Sequence, residues 1–169
     1  MLVSVFPLLM ALSIAQASVV APPIMLTPIV IRNIVTPAQA LASGVGEVGP
    51  PEAIMRAADA GPARLGVRAV FAMPVRRAEK VGKRFFLNSE ADYRDQRNLS
   101  VAIESGAYRL LRDRFGKKLD RAFLGRHLRV YGLARRVQIS FGVNGRPTGL
   151  YYYQTHVTVT DPAQIEFIG

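Results

Sequence analysis

The sequence predicts a mainly β domain: a small five-stranded barrel with a helix between its third and fourth strands, preceded by a signal and a proline-rich linker. Three observations predict it. Five strand-like stretches follow residue 66, and between the third and fourth of them the apolar spacing changes to a helical period. Eight of the eleven prolines fall within residues 1–66, where they interrupt regular structure. Those residues also carry three basic side chains (Arg32, Arg56, Arg64) and three acidic ones (Glu47, Glu52, Asp59), so the whole formal excess of +10 lies beyond them.

With 169 residues the chain holds one ordinary domain and a tail, which excludes a multidomain enzyme. Its hydrophobic fraction of 50% argues against a wholly disordered polycation. The absence of cysteine excludes a disulfide, a thiolate metal site and a catalytic thiol, and two histidines are too few for a histidine-rich metal centre.

Taken in order, residues 2–14 are uncharged and apolar, and Ala15-Gln16-Ala17 has the small-x-small pattern of a signal-peptidase site. Residues 1–17 therefore read as a secretory signal, although no Lys or Arg precedes the apolar run; the mature chain is expected to begin near Ser18. Ala38-Gln39-Ala40 offers a second such site. The expected location is exported, periplasmic or extracellular. Pro22, Pro23 and Pro28 break the longer apolar run, so no stable membrane span is expected once the signal is cleaved. Residues 18–66 read as an Ala/Pro/Gly-rich linker, with one short helix over 51–60 started by Pro51 and Glu52 and stopped by Gly61.

In the domain proper, residues 67–169, Val67, Ala69, Phe71 and Met73 alternate with Arg68, Val70 and Ala72 ahead of Pro74, predicting the first strand. Residues 83–88 and 99–104 are the second and third. Leu111, Phe115, Leu119 and Phe123 then recur every four residues, the mark of an amphipathic helix or of two short ones hinged at Gly116, with Gly125 as the stop. Residues 127–139 read as a long fourth strand with a flexible point at Gly132, and 150–160 as a fifth rich in Tyr, Thr and Val. Gly142, Asn144, Gly145, Pro147 and Gly149 fill the turn between them. Three strands, a helix and two strands is the order of the OB barrel. The 74–82 stretch is too short for the crossover helix of a ferredoxin-like sandwich.

Three stretches, 82–95 (GKRFFLNSEADYRD), 125–132 (GRHLRVYG) and 161–166 (DPAQIE), together resemble a family of bacterial exported OB-fold domains, some of which accompany thermonuclease-like domains. The resemblance covers residues 67–168. It implies that the first stretch forms the second strand and its turn, that the second opens strand four and that the third closes the barrel. It also implies ligand binding, whose nature a fold does not fix.

If Phe85 and Leu87 face inward, Arg84, Phe86 and Asn88 face outward beside Ser100 and Ala102, on the side that OB barrels use for nucleic acids or oligosaccharides. Tyr93 adds a stacking surface, and Arg94 and Arg97 add cations. The candidate ligand-binding residues are thus Arg84, Phe86, Asn88, Tyr93, Arg94 and Arg97, and the bland alternative is a Phe86 covered by the tail and arginines that only keep the domain soluble. The acidic group Glu90, Asp92 and Asp95 has the carboxylates a divalent cation would need, but it sits beside Arg94 and Arg97, where ion pairing is the ordinary role. His127 and His156 lack an adjacent Ser or Asp. No catalytic residue, metal ligand or cofactor is therefore expected. The expected function is an exported, non-catalytic binding module for single-stranded nucleic acid or another polyanion such as an acidic polysaccharide. Its alternatives are a metal-dependent phosphodiesterase and a structural or protein-interaction domain.

Overall fold

The computed structural model describes residues 34–61 and 65–168. The expected signal lies outside them. In chain order the elements are α1 (Pro37–Ala42), β1 (Glu47–Val48), α2 (Pro50–Asp59), β2 (Val67–Pro74), β3 (Arg77–Val81), β4 (Arg84–Asn88), β5 (Leu99–Ile103), α3 (Ser105–Phe115), α4 (Leu119–Phe123), β6 (His127–Val143), β7 (Arg146–Val159), a 3-10 turn (Pro162–Gln164) and β8 (Ile165–Ile168). The strands make one curled sheet in the order β1-β2-β6-β7-β5-β4-β3, with β8 on β6. The domain is mainly β, as the alternation requires.

The sheet has eight strands rather than five. Pro74 ends β2, and the chain then turns a corner: Val75 N donates to Arg126 O, whereas Arg76 N donates to Asn88 O. The first expected strand thereby leaves β6 and continues as β3 against β4. The third motif supplies β8, which pairs with the start of β6 from His127 to Val130.

The linker expected over 18–66 is overturned for its described part. Within it α2 forms close to the expected helix, with Pro at the first turn and Glu52 beside the helix N-terminus. Val48 and Ala53 belong to the core, and β1 pairs in parallel with β2. The composition concealed this because alanine buries a helix face with no large apolar signature. Ala38-Gln39-Ala40 lies inside α1, where Ala40 is buried.

The helical period yields two helices, parted by Gly116 at φ 86°. Leu111, Leu119 and Phe123 point into the core, and Phe123 meets Phe85, Phe115 and Phe167 at ring distances of 6.5, 5.8 and 5.2 Å. Gly132 serves close packing rather than flexibility: a Cβ there would lie 2.7 Å from Val157 Cγ1. The glycine-rich turn expected between the last two strands is also much tighter. Asn144 and Gly145, at φ 51° and 75°, make a two-residue hairpin turn. The flanking strands run unbroken from it, apart from an irregularity near Phe141, so β6 and β7 reach 17 and 14 residues.

Candidate functional site

Strand register places five polar side chains in one row across the outer face of the sheet. Arg77 pairs with Asn88, Asn88 with Ser100, Ser100 with His156 and His156 with Arg135, and paired residues project to the same side. Inward positions on the same strands, Leu87, Val101 and Val157, are fully buried. Over this row lies a cleft of about 320 Å³, walled by Arg77, Glu79 and Val81 of β3 on one side and by Ile139 and Tyr152 of the β6–β7 hairpin on the other. Phe86 and His156 meet edge to face at 5.8 Å. Because β4 and β7 flank β5, the two rings span the small residues of that strand, which explains why Ser100 and Ala102 are 1% exposed.

The hydrogen bonds fix which atoms the cleft presents. Asn98 Oδ1 accepts from Glu90 N at 3.1 Å, so Asn98 Nδ2 is the end that donates to Asn88 Oδ1 and Ser100 Oγ. Ser100 Oγ also donates to Asn88 Oδ1, at 2.7 Å. The Asn88 amide is thereby oriented, and its Nδ2 is buried with no hydrogen-bond partner among the described residues. Gln154 Nε2 likewise donates to the Tyr93 carbonyl at 2.9 Å and to Tyr152 Oη at 2.8 Å, leaving Gln154 Oε1 to accept from His156 Nε2–H at 2.7 Å. His156 is therefore the Nε2–H tautomer, with its lone pair on Nδ1. Burial, and then the Arg84 charge, push its pKa down from 6.5 to about 4, so the ring is neutral at pH 7. Burial also raises the Tyr152 hydroxyl above its usual range.

Next to the cleft, and sharing Tyr152 and Gln154 with it, is a groove of about 580 Å³ along the edge of β7 that β5 leaves unpaired. Arg94, Gln96, Arg136, Phe141 and Tyr151 line it together with Ile54 and Ala58 of α2. Among the described residues no carboxylate lines this groove. Arg94 and Arg136 form no salt bridge among the described residues, and each lies against a tyrosine ring, Arg94 4.7 Å from Tyr93 and Arg136 3.7 Å from Tyr153. No acidic residue occurs between Asp120 and Asp161, whereas six arginines do.

Of the six expected ligand residues, the structure brings Phe86, Asn88 and Tyr93 into the cleft and Arg94 into the groove. Arg84 and Arg97 line neither. Each is paired, Arg84 with Glu104 at 2.9 Å and Arg97 with Asp95 at 2.8 Å. Asn88 is on the expected side but is 1% exposed, because its neighbours cover it. Tyr93 is less free to stack than expected, since the Arg77 and Arg94 guanidinium groups already contact its ring. The acidic group is engaged locally: Glu90 pairs with Arg76, Asp92 Oδ1 accepts from Arg94 N, and Arg97 holds the Asp95 carboxyl down to about 2. His127 is exposed at the start of β6.

Sequence reasoning missed Arg77, Glu79, Arg136, Ile139, Gln154 and His156. The available signal was the alternation of Tyr152, Gln154 and His156 with the inward Thr155, Val157 and Val159. No family model and no curated protein matches the chain. Among solved structures it is similar to an aspartyl-tRNA synthetase from Leishmania major Friedlin, at 10% identity and a TM-score of 0.35, over 73% of this chain and 20% of that one.

Proposed function

We propose that this domain is an OB-type barrel that binds single-stranded nucleic acid without turning it over. The barrel reading is supported by the strand connections: β2 and β3 act as one bent first strand, β4 and β5 follow, α3 and α4 intervene, and β6 and β7 return with β7 parallel to β5. The observation that carries the ligand is the division between the two depressions. The groove offers Arg94 and Arg136 with no opposing carboxylate among the described residues, which suits phosphates. The cleft offers Phe86, Tyr152 and a neutral His156 over an amide floor, which suits an unstacked base. An acidic polysaccharide makes less use of a flat, neutral cleft. Export belongs to the same proposal and is carried by residues 1–17 alone.

The test is a salt titration of binding to oligothymidylate. Arg94→Ala and Arg136→Ala should each weaken binding and flatten the salt dependence by about one phosphate contact. Phe86→Leu should weaken binding and leave the slope alone. Hydrolysis that chelator abolishes would instead establish the phosphodiesterase, and unaltered affinity in all three variants would remove this face from consideration.

A further inference from the structure

Residues 140–151, the tip of the β6–β7 hairpin, are all exposed. β6 pairs with β2 only as far as Ala134, and β7 with β5 only from Thr155, so beyond those residues the hairpin is a two-stranded ribbon with both edges open. Arg146 is the one charged side chain of the tip, and Phe141, Val143, Leu150 and Tyr151 stand in water, Val143 at 62% and Leu150 at 68% exposure. A single exposed apolar residue needs no explanation, but four gathered at one tip mark an interaction site. Arg135 at the base of the ribbon and Arg146 at its tip form no salt bridge among the described residues.

The arrangement of these side chains limits what can cover them. Phe141 packs against Tyr152 at 5.3 Å and Tyr151 against Tyr153 at 5.6 Å. Successive residues of a strand project to opposite sides, so the two pairs lie on opposite faces of the ribbon. A rigid protein surface would cover one face and leave the other wet, and a second copy would bring the same arginines against these. Val143 and Leu150 have no ring to stack on a base. A fluid lipid surface closes round both faces, and an anionic one also meets the arginines. The reach fits: from Ile139 to Val143 the strand extends about 13 Å, at about 3.3 Å per residue, against a headgroup layer of about 5 to 8 Å. The open edges set the depth, because unpaired backbone groups cannot enter hydrocarbon and so hold the tip at the interface.

We propose that the hairpin tip is a peripheral anchor for an anionic lipid surface: Val143 and Leu150 enter the boundary between headgroups and acyl chains, and Arg146 and Arg135 meet the lipid phosphates. This goes beyond the single-strand reading and does not depend on it, since Val143, Leu150 and Arg146 line neither the cleft nor the groove.

The chain has no tryptophan, so Leu150→Trp places a single fluorescent reporter at the tip. The full-length variant is mixed with vesicles of phosphatidylcholine alone and with vesicles of equal parts phosphatidylcholine and phosphatidylglycerol. With the anionic vesicles its emission should shift to the blue and be quenched by brominated acyl chains; with the neutral ones it should do neither. In co-sedimentation with the anionic vesicles, Val143→Ser combined with Leu150→Ser should weaken binding by about tenfold or more, the loss of two partly buried aliphatic side chains. Arg146→Ala should weaken it by about fivefold, the share of one basic residue near an anionic surface. The N-terminal residues are common to all these proteins, so the differences between them report the tip. The double variant replaces exposed side chains, so its urea midpoint and its affinity for oligothymidylate should match the wild type. Emission unchanged by anionic vesicles, an equal shift with neutral ones, or unaltered co-sedimentation of the double variant would overturn the anchor. Loss of oligothymidylate binding in the double variant would assign the tip to the nucleic-acid site and overturn it as well. Failure of the wild type to bind oligothymidylate would instead remove the single-strand reading and leave the anchor standing on the vesicle results.

Discussion

His156 makes the stability of the domain depend on mildly acidic pH. Its ring is packed against Phe86 and donates from Nε2 to Gln154, and its pKa is lowered from 6.5 to about 4, chiefly by burial and secondarily by Arg84. Between those two values the unfolded chain holds a proton that the folded chain does not, so the unfolded state gains on acidification. The contribution is fully present above pH 6.5 and is lost as pH falls to about 4. At about 1.4 kcal/mol per pH unit, the interval amounts to about 3 kcal/mol. The perturbation is His156→Gln, which keeps an amide donor where Nε2–H stood but does not titrate. Urea unfolding of both proteins at pH 7, 5.5 and 4 should show the wild type losing about 3 kcal/mol relative to the variant, with the loss concentrated below pH 6.5. The perturbed Asp95, held at about 2 by Arg97, acts only below its ordinary value of 3.8 and is common to both proteins. Parallel stability curves across this range would show that the ring is not held neutral by burial and would refute the reasoning.

The strands were legible where large apolar residues recur at alternate positions. Val67 to Met73, Phe85 with Leu87, and Leu99 with Val101 and Ile103 all alternate because the core needs every second residue. The corner at Val75 was not legible, because a proline ends a strand in any reading and only the hydrogen bonds show the chain changing partners. Nor was the packing of α2, whose buried residues are Ala53 and Ala57. Asn144-Gly145 was hidden by glycines on both sides, yet it is the pair that sets the register of the long hairpin. Within the site, Phe86 and Arg94 followed from local pattern. The pairing of Arg84 and Arg97, and the assembly of Asn88, Gln154 and His156, depend on contacts between residues distant in sequence, or on the geometry of charges that are merely adjacent.

Gly132→Ala should destabilise the domain by about 1 to 3 kcal/mol in urea unfolding, because the added methyl meets Val157 at 2.7 Å across the sheet; an unchanged midpoint would mean that the strands can separate freely. Asn98→Ala should cost about 2 to 3 kcal/mol, since it strands Glu90 N and removes a donor from Asn88, and hydrogen exchange should quicken in residues 89–98. The last prediction concerns where the folding unit begins. The periodic part starts at residue 67, but Val48 and Ala53 complete the core beneath β2 and β6, and Ala57 is 1% exposed. A fragment of residues 67–169 therefore exposes core side chains that α2 and β1 cover, whereas 34–169 retains them. The shorter fragment should be several kcal/mol less stable than the longer, at about 25 cal/mol for each Å² of apolar surface uncovered, and its Tm should lie correspondingly lower. Equal Tm values for the two fragments would show that the N-terminal elements lie on the barrel without supporting it.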